Sequence, residues 1–193
     1  MDAPRDPTPA SRRVLTVPNL ISLLRVATIP IFWTLIVDDD TSAWGIALFA
    51  TVVATDWVDG TIARRTGQVT DLGKILDPVA DRLAIAAGLL ALVVRGAFPL
   101  WAAVLILARD VAVLAAAIVL AARGMRIDVR WIGKVATFGL MVAIPAISWG
   151  NLGLWPAGAA LAIGWPVYAV SIVEYYVAAG VYAADLRRAV TAG

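Results

Sequence analysis

The sequence predicts an all-α integral membrane protein with six transmembrane helices and both termini in the cytoplasm. Three observations predict it. Of 193 residues, 61% are hydrophobic and 16% charged, with a mean hydropathy of +0.84; soluble domains run nearer half apolar and a quarter charged. The apolar residues gather into runs near the roughly 20 residues a helix needs to cross a bilayer. The basic residues fall on alternate sides of those runs, as the positive-inside rule requires.

Residues 1–14 (MDAPRDPTPASRRV) are polar and Pro-rich and read as a disordered cytoplasmic tail. They are not a signal peptide, because no small-residue cleavage site follows the next apolar run. Pro18 suits a first helical turn, and Thr16 or Asn19 could cap the helix that follows. Leu20–Val37 is the first span, with Arg25 near its start and Pro30 as a kink. Asp38–Asp40 form a short acidic loop, and Trp44–Val58 is the second span. Ile75–Val94 is the third, Pro99–Ala122 the fourth with Arg109 and Asp110 at its middle, and Arg95–Phe98 the turn between them. Arg123–Lys134 is a basic connector, Ile132–Trp149 the fifth span, and Trp155–Ala184 the sixth, with Glu174 inside it. One domain over 15–188 and a short tail at 189–193 complete the chain.

Charge orients this layout. Arg5, Arg12, Arg13, Arg64, Arg65, Lys74, Arg82, Arg123, Arg126, Arg130, Lys134, Arg187 and Arg188 fall on one side, and the opposite loops hold only Arg95. Trp33, Trp44, Trp101, Trp149 and Trp155 lie near outer span ends, as an interfacial belt would. The chain has no Cys and no His. Disulfides, thiolate nucleophiles and the commonest general base and zinc ligand are therefore excluded. Acid–base work falls to Asp, Glu, Lys, Arg, Tyr or water.

Chemistry concentrates in Asp56–Asp81, DWVDGTIARRTGQVTDLGKILDPVAD. Asp56 and Asp59 are three apart, and Asp77 and Asp81 four apart, so each pair shares a helix face. The first pair is expected to close one helix and the second to open the next. An antiparallel hairpin then gathers the carboxylates, which repel unless a cation sits among them. All-oxygen ligation favours a hard ion such as Mg²⁺, Mn²⁺ or Ca²⁺. Gly60 and Gly73 permit close backbone approach, Ala63 keeps its helix face small, and Arg64 can hold a phosphate bidentately. A dinuclear site bridging a diphosphate would stabilise both entering and leaving oxygens. Acidic residues at span ends are usually only solvated, but this spacing, with two Gly and an Arg between the pairs, argues for a site.

The pattern Asp-x2-Asp-Gly-x2-Ala-Arg-x8-Gly-x3-Asp-x3-Asp is complete in Asp56, Asp59, Gly60, Ala63, Arg64, Gly73, Asp77 and Asp81. It resembles the CDP-alcohol phosphatidyltransferases, whose six-span fold matches the layout after residue 14. The resemblance implies transfer of a phosphatidyl group from CDP-diacylglycerol to an alcohol, with release of CMP. It implies two divalent ions, Mg²⁺ first and Mn²⁺ second. Asp56, Asp59 and Asp77 would bind one ion, and Asp56, Asp77 and Asp81 the other. Asp81 would be the general base. Gly60, Arg64 and Thr70 would contact the cytidine diphosphate, with Asn19 at the border of the site. A homodimer in the cytoplasmic membrane, its active site facing the cytoplasm, is also implied; no nucleic-acid partner is expected.

VPNLISLLR, LDPVADR and GKVATF are similar to the glycerol-type branch, which holds cardiolipin synthases and phosphatidylglycerophosphate synthases. LARDVAVL and VRWIGKVATFGLMVAIP lean toward cardiolipin synthases, so phosphatidylglycerol is the expected acceptor and glycerol 3-phosphate the alternative. Arg109, with Arg130 or Lys134, is a candidate for the acceptor's phosphate; its structural alternative is an ion pair with Glu174, or with Asp110 of a second subunit. Arg109 and Asp110, adjacent on a helix, are expected to need separate partners. Lys74 and Arg82 are read as topological charges first. A small cation transporter is the rival class, but it would place its carboxylates near the bilayer midplane on broken helices.

Overall fold

The computed structural model describes residues 17–66, 73–122 and 131–191; within its helices, side chains 17–19, 21, 56–66, 73–78, 116–122, 131–134 and 181–191 lie outside the described set. The described residues form α-helices only: α1 (Val17–Val37), α2 (Ser42–Thr66), α3 (Gly73–Val94), α4 (Leu100–Ala122), α5 (Trp131–Asn151) and α6 (Ala157–Thr191). The all-α, six-helix expectation is met.

Boundaries differ in informative places. α2 runs through Asp56 and Asp59 to Thr66, instead of ending at the first pair. Ala63, Arg64 and Arg65 are good helix formers and outweigh the single Gly60. α1 starts at Val17, so Asn19 lies in its first turn and does not precede it. Pro30 sits inside α1 without ending it, and the Thr34 hydroxyl donates to the Pro30 and Ile31 carbonyls at 3.0 and 2.9 Å. α6 continues to Thr191 and carries Arg187 and Arg188, which the sequence placed beyond the end of the sixth span.

The turns are short and locally specified. Asp38 accepts from the backbone N–H groups of Asp40 and Thr41 at 3.0 and 3.1 Å, and Ser42 donates to the Ile36 and Asp38 carbonyls. Between α3 and α4, Gly96 takes φ +74°, a conformation that costs other residues roughly 1–2 kcal/mol. Ala97 and Phe98 N–H then both reach back to the Leu92 carbonyl, closing α3.

The helices form a closed ring. α1 packs on α2, α2 on α5, α5 on α6, α6 on α4, α4 on α3, and α3 on α1, while α2 also touches α3 across the ring. That cross-contact divides the molecule into a triad, α1–α2–α3, and a five-membered ring, α2–α5–α6–α4–α3. Phe32, Ile36, Ile46, Phe49, Leu89, Leu92, Phe98, Ile106 and Ile147 fill the interior. Phe32 and Phe49 pack with ring centroids 5.5 Å apart. A Cβ on Gly88 would run into the Phe49 ring, so that glycine sets the approach of α3 to α2. The hydroxyls of Tyr168 and Tyr176 on α6 donate to the Ala102 and Leu105 carbonyls of α4 at 3.0 and 2.8 Å and fix the register of those two helices.

Large apolar side chains also face outward, among them Leu23, Leu24, Val111 and Val173. One described segment, Ala157–Gly180, is long and apolar enough to cross a membrane; Ser22–Val37, Ser42–Thr55 and Val135–Asn151 are apolar but shorter. Trp44 and Trp155 are strongly exposed at the turn end of the bundle, and Trp101 stacks on Trp165 at 5.7 Å.

Candidate active site

Asp56, Asp59, Gly60 and Arg64 lie in the last three turns of α2, and Asp77 and Asp81 in the first three turns of α3. The two helices touch, and residues 67–72 join them. The side chains of Asp56, Asp59, Arg64 and Asp77 lie outside the described residues, as do Thr70 and Arg130 entirely and the side chains of Asn19 and Lys134. A further aspartate of this stretch, Asp71, also lies outside them. Asp81 and Arg109 are the site residues whose surroundings are described.

Asp81 is half-buried on α3. The Arg25 guanidinium of α1, itself buried, donates to its carboxylate as an ion pair. Sequence reasoning missed Arg25 as a partner of this stretch, although a charge within an apolar run was the available signal. The pair fixes one side of Asp81 and ties α1 to the proposed reacting end of α3.

The next residue of α3 points to a second polar cluster. Arg82 Nη1 lies 2.5 Å from Asp110 Oδ1 on α4. That contact brings the charges together without hydrogen-bond alignment, since the buried Nη1 has no aligned acceptor. The Tyr175 hydroxyl of α6 donates to the same Asp110 oxygen, and Arg109 Nη1 approaches it at 3.3 Å. Arg109 Nε also donates to the Tyr175 carbonyl at 3.3 Å, and its guanidinium carbon stands 3.6 Å from the centre of the Tyr175 ring. Arg109, Asp110 and Tyr175 are each at most 7% exposed.

Three expectations change here. Arg109 and Asp110 do not take separate partners: they contact each other and share Tyr175, because a long Arg side chain can fold back along its helix. The ion pair of Arg109 is with Asp110 of its own chain, not with Glu174. Arg82 is more than a topological charge, since it reaches the buried Asp110. Two guanidiniums against one carboxylate leave the cluster with one excess positive charge. Tyr175 carried no signal in the sequence, since an aromatic in an apolar helix reads as core.

Within the five-helix ring lies a narrow cleft that opens to the outside. Val53, Ile85, Ile106, Leu140, Met141 and Ile144 give it an apolar wall, and Asp110, Thr137 and Tyr175 a polar rim. Val53 stands one helical turn before Asp56 on α2. Ile85 stands one turn after Asp81 on α3. The cleft therefore begins next to the aspartate stretch and leads away from it.

Residues 15–173 match the family model for CDP-alcohol phosphatidyltransferase. The chain is 36% identical over 186 residues to a CMP-forming cardiolipin synthase of Streptomyces coelicolor, covering 93% of this chain and 86% of the relative. It is 36% identical to a CDP-diacylglycerol–glycerol-3-phosphate 3-phosphatidyltransferase of Bacillus subtilis, over 72% of this chain and 79% of the relative. The Escherichia coli protein with that same name is 37% identical, over 75% of this chain and 84% of the relative.

Proposed function

We propose, on the premise that this chain belongs to the CDP-alcohol phosphatidyltransferase family, that it transfers a phosphatidyl group from CDP-diacylglycerol to phosphatidylglycerol. The products are cardiolipin and CMP. The observation that carries the choice of acceptor is extent of likeness: the cardiolipin synthase relative aligns along 93% of the chain, the glycerol-3-phosphate transferases along 72% and 75%. Those two enzymes have equal or slightly higher identity, so glycerol 3-phosphate remains the second reading.

Six helices span the cytoplasmic membrane in this reading, both termini lie in the cytoplasm, and the active form is a homodimer. The basic residues on alternate sides of the apolar runs support that orientation. Asp56, Asp59, Asp77 and Asp81 hold two divalent ions, Mg²⁺ before Mn²⁺. What supports the fit is donor chemistry: carboxylates on touching helices, in a chain without His or Cys, suit a hard ion. When bound, the ions would neutralise the diphosphate and polarise the phosphorus under attack.

The chain's own residues do the rest. Gly60, Arg64 and Thr70, bordered by Asn19, hold the cytidine diphosphate. Arg25 orients Asp81 through their ion pair. Asp81 takes the proton from the acceptor hydroxyl as its oxygen bonds to phosphorus. The phosphorus–oxygen bond to CMP breaks, and CMP departs. Arg109, Arg130 and Lys134 serve the acceptor, and Arg109 does so from within its cluster with Asp110 and Tyr175.

The test offers purified protein CDP-diacylglycerol with Mg²⁺ and either phosphatidylglycerol or glycerol 3-phosphate. A product with four acyl chains is expected. Formation of phosphatidylglycerophosphate alone would transfer the assignment to the second reading. Asp81→Asn should lose turnover while keeping the fold at reduced stability, since the buried Arg25 loses that carboxylate; full activity in that variant would remove Asp81 as the base.

A further inference from the structure

The cleft in the five-helix ring has no role in the chemistry above, and its composition suits a lipid. Its walls are apolar over about one and a half turns each of α2 and α5, from Phe49 and Ala50 to Val53 and from Leu140 to Pro145. Phe49 to Asp56 is seven residues, so along α2 the cleft reaches about 10 Å from the aspartate stretch. A soluble acceptor such as glycerol 3-phosphate has nothing to place against such walls.

The rim decides which lipid. In the proposed reaction the donor's diphosphate would be held at the aspartate stretch and by Arg64. Asp110, which lines the cleft, sits in a cluster with one excess positive charge, from Arg82 and Arg109. Arg82 keeps 38% of its side chain exposed, while its buried Nη1 faces Asp110. A singly charged phosphodiester complements that rim, and phosphatidylglycerol carries one next to its acyl chains.

We propose that this cleft seats an acyl chain of the lipid acceptor, with the acceptor's phosphodiester at Arg82. The cleft is thus the element that selects a lipid alcohol over a water-soluble one. This rests on the reading of the chain as a cardiolipin synthase.

The experiment has two arms, both on the full chain in detergent. In the first, phosphatidylglycerol or CDP-diacylglycerol carrying a mid-chain diazirine is photolysed with unmodified protein, and labelled peptides are mapped by mass spectrometry. Label from phosphatidylglycerol is expected in 49–53 and 140–145; label there from CDP-diacylglycerol alone would assign the cleft to the donor and overturn the proposal. In the second, KM is measured for phosphatidylglycerol and for its deacylated headgroup, glycerophosphoglycerol. Ala50→Leu narrows the cleft, and Ala54→Leu on the exposed side of α2 is the control. Ala50→Leu should raise KM for phosphatidylglycerol at least tenfold, the scale on which a methylene is sensed in an apolar pocket, and leave KM for CDP-diacylglycerol and for the headgroup unchanged. An equal rise for the headgroup, or none for the lipid, would overturn the proposal. If the wild-type protein makes cardiolipin and the cleft is not labelled, only this inference fails. If it makes no cardiolipin at all, the functional reading fails with it.

Discussion

Replacing Asp110 by Asn tests the buried cluster most directly. The substitution keeps the shape and an acceptor for the Tyr175 hydroxyl, but deletes the charge that faces Arg82 and Arg109. Removing one partner of a buried ion pair costs about 3–5 kcal/mol, because the other charge stays buried and uncompensated. Arg109, 7% exposed, belongs to that case. Arg82, at 38%, is screened by solvent and adds less than about 1 kcal/mol. Arg109 retains the Tyr175 carbonyl and ring, and a desolvated cation–π contact is worth about 2 kcal/mol. The expected loss is therefore at the lower end, about 3 kcal/mol. The assay is SDS-driven unfolding in mixed micelles, followed by the fluorescence of the eight Trp residues. Adding Arg109→Gln removes the orphaned charge and should recover at least half of the loss. A loss below about 0.5 kcal/mol, or a double variant less stable than the single one, would refute the charge-balance reasoning.

Other outcomes follow from single contacts. A Cβ on Gly164 would stand 2.8 Å from Ile147 Cγ1 and 3.0 Å from its backbone nitrogen, so Gly164→Val should destabilise by about 1–3 kcal/mol through overpacking of α5 against α6; unchanged stability in the same titration would contradict it. Asp39, whose side chain is 84% exposed, pairs at 2.6 Å with Arg95, so Asp39→Asn should shift stability by less than about 1 kcal/mol. Chelation with EDTA should stop CMP release, and added Mg²⁺ should restore it; CMP release that survives thorough chelation would remove the metal site.

The helices were legible because long apolar runs taken out of water must satisfy their backbone groups internally, and a helix does so within one segment. The ends of α2 and α6 were not. Charged residues there looked like loop, yet Arg and Ala propagate a helix once it is nucleated, so Arg64 and Arg187 stay helical. The aspartate motif was legible because its spacing is a one-dimensional signal. Its surroundings were not, since Arg25 meets Asp81 across 56 positions and Tyr175 meets Asp110 across 65. Such pairings depend on which helices are neighbours in the ring, and hydropathy carries no record of that order.

The ring also constrains the order in which the protein can be assembled. A ribosome delivers α1, α2 and α3 first, and these are already mutual neighbours, so Arg25 can find Asp81 while the second half of the chain is still unmade. α4 then has only α3 to lean on, and Asp110 waits for the hydroxyl of Tyr175. α5 must return to α2, past two helices made in between, and α6 must fit between α5 and α4. The last helix synthesised is thus the keystone. A nascent chain can therefore close the α1–α2–α3 triad early and the five-helix ring only once α6 arrives, so a product truncated before α6 can carry the whole aspartate motif and still lack the closed ring around the cleft.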